Sequence, residues 1–100
     1  MKPFTIAQTV EATGGSFVGK MSLLNKLITG VTIDSRAVQL GDLFVPIRGE
    51  RFDGHQFTLD AMQAGAICAL SEHAVKDIPH VLVDNTLQAF QALAGFYKNR

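Results

Sequence analysis

Three short apolar runs, Leu43–Ile47, Ile67–Leu70 and Val81–Val83, constrain this chain more than any other feature. Each is long enough for a strand and too short for a helix, and each is bounded by turn or polar residues. Such runs read as buried strands, and buried strands need helices packed over them. The segments between them supply those helices. Phe57, Ala61 and Ala64 recur at helical spacing and stop at Gly65. Asp84, Asn85 and Thr86 are N-cap candidates for a last helix carrying Leu87, Phe90 and Ala94 on one face. Lys98 and Arg100 near its end suit the helix macrodipole. Pro46 lacks a ladder donor, which places it at a strand end, at a bulge or on an unpaired side.

The first half of the chain reads less regularly. Thr5 and Gln8 fit a capping box opening a helix over residues 5–13, with Ile6 and Val10 on one face and Gly14-Gly15 as the stop. Ser16–Gly19 is β-like, and Lys20–Lys26 reads as a loop or irregular strand. Ile28–Ile33, rich in β-branched residues, is one strand ending at the turn Asp34-Ser35-Arg36. Gln39–Asp42 is a second turn, Gly49–His55 a Gly-punctuated charged loop, and Ser71–His80 a polar connection. The order α-β-β-β-α-β-β-α predicts a single small α/β domain: a mixed sheet of about five strands with about three helices packed on it.

Composition narrows the class. With 100 residues there is room for one domain, and 47% apolar residues with seven Phe supply its core without metals or disulfides. Nine basic residues balance nine acidic ones, so no net field would hold a nucleic acid. The longest apolar run, Ala64–Leu70, falls far short of the ~20 residues that span a bilayer. The start, Met-Lys-Pro-Phe-Thr, has no apolar h-region, so no secretory signal is expected. The single cysteine, Cys68, cannot form an internal bridge and reads as a small buried thiol. A cytoplasmic location is expected. The chain stops on a helix with no tail, which reads as a domain boundary rather than a natural end.

Most candidate chemistry fails on inspection. Gly14-x4-Gly19-Lys20 matches much of a phosphate-binding loop, but Met21 stands where a hydroxyl should hold Mg²⁺. The context is also reversed, since a helix precedes the glycines. His55, His73 and His80 show no metal-ligand spacing, and Cys68 sits in an apolar run. Asp34, Ser35 and His55 compose a nucleophilic triad only on paper, without a Gly-x-Ser-x-Gly elbow.

What remains is the stretch from Thr32 to His55, which holds three of the four arginines: Arg36, Arg48 and Arg51. Its two loops flank one strand. They offer guanidinium groups, the Ser35 hydroxyl, backbone N–H groups near Gly49 and Gly54, and a flat surface at Phe52. Those are parts of a site for a phosphorylated small molecule. The same residues read equally as a surface ion pair between Asp34 and Arg36 beside solvated Arg48 and Arg51.

Thr32-Ile-Asp-Ser-Arg36, Gly41-Asp-Leu-Phe-Val-Pro46, Gly49-Glu-Arg-Phe-Asp-Gly-His55 and Gly65-Ala66 together resemble the N-terminal domain of the Mur ligases. Val83–Leu87 and Ala89-Phe90 also fit. The Glu-Arg-Phe positions favour the branch that adds D-alanyl-D-alanine to the peptidoglycan precursor over the sister branch that adds the third amino acid. The resemblance implies a domain that binds the UDP end of UDP-N-acetylmuramoyl-tripeptide. Ile33 and Ser35 would meet the uridine region, while Glu50, Arg51 and Phe52 would form a second wall, by side chain or by backbone. ATP and Mg²⁺, the family's phosphate loop and its modified lysine would belong to central and C-terminal domains beyond residue 100. No catalytic residue, metal or cofactor is then expected here. The alternatives are the same domain of the sister ligase and a free-standing nucleotide- or protein-binding module.

Overall fold

The computed structural model describes residues 2–49 and 51–98. Glu50 and Arg100, both assigned roles from sequence, lie outside the described residues. The elements are β1 (Phe4–Thr5), α1 (Ile6–Thr13), β2 (Ser16–Val18), β3 (Leu27–Ile28), β4 (Gly30–Thr32) and β5 (Asp42–Phe44). They continue with α2 (Thr58–Ala64), β6 (Cys68–Ser71), β7 (His80–Leu82) and α3 (Thr86–Lys98). Single 3₁₀ segments occupy Met21–Asn25, Ser35–Ala37 and Gly54–Phe57.

A five-stranded mixed sheet runs in the order β2-β7-β6-β5-β4. β4, β5, β6 and β7 are mutually parallel, and β2 joins antiparallel at one edge. The pleat sends alternate side chains to opposite faces. Leu43, Val45, Cys68, Leu70, Val81 and Val83 enter a core shared with Ile6 of α1 and with Ala89 and Leu93 of α3. Phe44 and Ala69 enter a second core with Ala61 of α2. Helices therefore cover both faces, which is why the three apolar runs have no polar alternation. Pro46 follows the end of β5, where no ladder bond is lost.

The capping box of α1 is complete: Thr5 Oγ1 accepts from the Gln8 amide at 3.0 Å, and Gln8 Oε1 accepts from the Thr5 amide at 2.9 Å. Gly14 ends the helix in the left-handed conformation, its amide donating to the Val10 carbonyl. The first half departs from expectation in three places. Ile28–Ile33 is not one strand. Leu27–Ile28 pairs with Phe4–Thr5 in a separate two-stranded sheet, and only Gly30–Thr32 joins the main one. Thr29 is the pivot, its amide donating to the Gly41 carbonyl at 3.1 Å. Lys20–Lys26 contains a 3₁₀ turn whose Leu23 and Leu24 pack on the first core. β1 was not expected at all, since two residues carry no periodicity.

The third helix is rotated by about one position from its predicted face. Its inner residues are Thr86, Ala89 and Leu93, with Phe90 and Tyr97 packed beside them, while Leu87 is 48% exposed and Ala94 is exposed. Asn85 supplies the cap, its Oδ1 accepting from the Gln88 amide at 2.8 Å. Among the described residues no helix is long and apolar enough to cross a membrane.

Candidate functional site

β4 and β5 run parallel with Thr32 opposite Phe44, so their C-terminal ends open side by side. Open parallel sheets bind ligands at this end, where loops leave the strands. A cleft of about 530 Å³ lies there. One wall is the turn leaving β4, with Ile33, Asp34, Ser35 and Arg36. The floor and far wall come from Phe44, Phe52, Gly54, Phe57 and Asp60.

The first wall is built by short-range hydrogen bonds. Thr32 Oγ1 accepts from the Asp34 amide at 3.1 Å. Asp34 Oδ1 accepts from the Arg36 amide at 2.9 Å and from Arg36 Nε at 3.1 Å, while Oδ2 accepts from Nη2 at 3.3 Å. The Arg36 side chain and then its backbone amide hold the Asp34 carboxyl below its ordinary range. This fork leaves Arg36 highly exposed. Ile33 is 53% exposed, a large apolar surface facing open space.

The second wall is a tight loop. Its base is closed by the Gly54 amide donating to the Ile47 carbonyl at 3.0 Å, and its tip by the Gly49 amide donating to the Phe52 carbonyl at 2.6 Å. A Cβ on Gly54 would stand 2.8 Å from the Ile47 amide nitrogen, so the close approach requires glycine. Phe52 stacks on Phe57 with centroids 5.6 Å apart and planes at 24°, yet stays 54% exposed. One face is packed and the ring remains available from the cleft.

The structure thus brings Ile33, Ser35 and Phe52 to one cleft and leaves Arg51 exposed outside its lining. Phe57 and Asp60 line it too, and sequence reading missed both. Phe57 was absorbed by the helical repeat of α2, and Asp60 looks like an ordinary acidic residue of a helix's first turn.

Two other expectations change. Arg48 stays solvent-exposed but is not free: it lies outside the cleft lining, and its Nη2 is 3.0 Å from Glu72 Oε1. His55 does not join Asp34 and Ser35. Its Nδ1 lies 2.7 Å from Asp53 Oδ1, and its Nε2 accepts from the Glu72 amide at 3.1 Å. Both ring nitrogens are used, so no general base of a triad is present there. Cys68 is fully buried, and desolvation pushes its thiol up to about 12, which keeps it protonated and inert.

The ATP and Mg²⁺ implied by resemblance do not fit these residues. Gly14 and Gly15 lead from a helix into a strand, and a Cβ on Gly15 would lie 2.7 Å from the Leu82 carbonyl oxygen. The Gly15 backbone is packed against β7 there and does not open the N-terminus of a helix. Among the described residues no group of three or more His, Cys, Asp or Glu could hold a metal ion.

Comparison with known proteins bears on the family and the fold. The family model described as Mur ligase family, catalytic domain, matches residues 27–97. The UDP-N-acetylmuramoyl-tripeptide--D-alanyl-D-alanine ligase of Bacillus subtilis is 43% identical over 75 residues, covering 71% of this chain and 16% of the relative. The UDP-N-acetylmuramoyl-L-alanyl-D-glutamate--2,6-diaminopimelate ligase of Aquifex aeolicus is 37% identical over 70 residues, covering 69% and 14%. A crystal structure of MurF from Acinetobacter baumannii superposes with a TM-score of 0.88 at 29% identity, over 99% of this chain and 22% of that one. The chain spans about a seventh to a little over a fifth of the length of these relatives. On the family match over most of its length, the chain belongs to the Mur ligase family.

Proposed function

We propose that this domain anchors the UDP end of UDP-N-acetylmuramoyl-tripeptide for an ATP-dependent ligase that adds D-alanyl-D-alanine. The observation that carries the reading is the cleft at the ends of β4 and β5, which unites Ile33, Ser35 and Phe52. Ile33 and Phe52 offer apolar surfaces on opposite walls for a base, and Ser35 offers a hydroxyl donor and acceptor between them. Gripping the nucleotide at a distance would fix the peptide's terminal carboxyl at a reaction centre supplied by the rest of the enzyme. ATP would bind there and not here; a MurF of Thermotoga maritima is known in complex with ADP, and this chain covers only 16% of it.

The sister reading, the same domain of a diaminopimelate-adding ligase, is favoured by relatives such as that of Bacillus cereus, 38% identical over 74 residues. Both readings place UDP in the same cleft.

The test is an NMR titration of this chain with UDP. Binding is expected in the high micromolar to millimolar range, about −4 to −6 kcal/mol, with shifts centred on Thr32–Ser35 and the 49–55 loop. Ser35→Ala should weaken it by roughly 0.5–1.5 kcal/mol if the hydroxyl meets a neutral group. Shifts confined to residues outside those segments, or none at millimolar UDP, would overturn the reading.

A further inference from the structure

The loop that carries Phe52 is tied down at both ends to one residue on the far side of the sheet's end. At its start, Arg48 Nη2 pairs with Glu72 Oε1 at 3.0 Å. At its finish, His55 Nε2 accepts from the Glu72 amide at 3.1 Å. A ring nitrogen that accepts carries no proton, so the proton sits on Nδ1 and is donated to Asp53 Oδ1 at 2.7 Å. The His55 side chain is 5% exposed, and its ring lies against His73 with centroids 5.0 Å apart. Glu72 is itself held: its Oε2 accepts from the Thr86 amide at 2.8 Å and from Thr86 Oγ1 at 3.3 Å, at the start of α3. Its side chain is 12% exposed.

We propose that His55, held as the neutral Nδ1–H tautomer between Asp53 and the Glu72 amide, is a positioning residue of the cleft. It acts together with the Arg48–Glu72 pair to hold the Phe52 wall opposite Ser35. The inference rests on the reading of the cleft as a UDP site. Phe52 has one packed face, and the loop's internal hydrogen bonds only close its base and tip. What orients that loop against the β4 turn is its attachment to Glu72. A wall already in place spares the bound state the cost of ordering it. Neither His55 nor Arg48 is among the residues lining the cleft, so the effect passes through Phe52.

Three variants and one control test this by UDP titration, with amide hydrogen exchange of residues 49–54 measured without ligand. His55→Phe keeps a ring against His73 and loses both hydrogen bonds. It should weaken UDP binding roughly fivefold to tenfold and speed exchange in the loop. His55→Gln can present a side-chain oxygen to the Glu72 amide and should recover part of the affinity. Arg48→Met should act in the same direction as His55→Phe, and it keeps the proposal testable if that variant does not fold. Thr9→Val, which removes a buried hydroxyl that donates to the Thr5 carbonyl in α1, away from Glu72 and the cleft, should lower stability and leave UDP affinity unchanged. Wild-type affinity in folded His55→Phe and Arg48→Met, or an equal loss in Thr9→Val, overturns the positioning role while leaving the UDP reading intact. Absence of UDP binding by the wild-type chain instead overturns that reading, and the role with it.

Discussion

Asp34 and Arg36 show how a residue can be read correctly in type and differently in task. Both were weighed as ligand groups and as a surface pair, and the structure has them forked together beside the cleft. The carboxylate closes the turn that carries Ser35, accepting from the Arg36 amide. Its pKa is lowered first by the Arg36 side chain and then by that amide. A carboxyl with a lowered folded pKa contributes above its unfolded value and loses that contribution as pH falls through the folded one. The Arg36 amide resonance should therefore hold its position as pH falls to the ordinary value of 3.8 and move only below it. An inflection above that value in a pH series of NMR spectra would contradict the fork. The neighbouring loop follows the same rule. The His55 amide is the largest cause holding Asp53 below its ordinary range, ahead of the His55 side chain and Arg48. Local hydrogen-bonding habits of Asp were legible from sequence. That Arg48 would find Glu72, far along the chain, was not.

At the scale of elements, β5, β6, β7 and α2 came through because their signals are local and redundant. An apolar run, a glycine stop and a helical repeat agree on each. α3 was placed correctly and faced wrongly. Its caps and apolar residues fit two neighbouring stripes, and the burial of Thr86, Ala89 and Leu93 chose between them. The loop between β5 and α2 is the element on which the cleft depends most, and Gly54 is its narrowest point. Gly54→Ala would drive a Cβ to 2.8 Å from the Ile47 nitrogen and 3.0 Å from Pro46 Cα, both backbone atoms that cannot swing aside. The loop must lift. The expected result is a loss of about 1–3 kcal/mol in a denaturant melt, the cost of overpacking, with Phe52 withdrawn from Phe57 and weaker UDP binding. Unchanged stability would mean that the loop relaxes without strain.

For the whole molecule, the architecture is a covered sheet with the candidate cleft at the ends of β4 and β5 and no assembled reaction centre among the described residues. Purified chain should neither turn over ATP nor form an amide bond. The Gly14–Lys20 segment leads from a helix into a strand rather than into a helix N-terminus, and the triad on paper does not assemble. ATP turnover abolished by Lys20→Ala in contaminant-free protein would refute this. The chain's linear order already carried the fold class, the apolar runs that become β5, β6 and β7, the α1 capping box, and the short motifs that resemble the Mur ligases. All of these rest on neighbours within a few positions, where steric, capping and burial preferences act directly. Folding alone divided residues 27–32 between two sheets, since β-branched residues favour pairing without specifying the partner strand. Folding alone also took Arg48 and His55 out of the list of reactive groups and put Phe57 and Asp60 into the cleft. A side chain's task is set by whichever group lies within about 3 Å of it, and only the packed chain brings Glu72 to that distance from both ends of the loop.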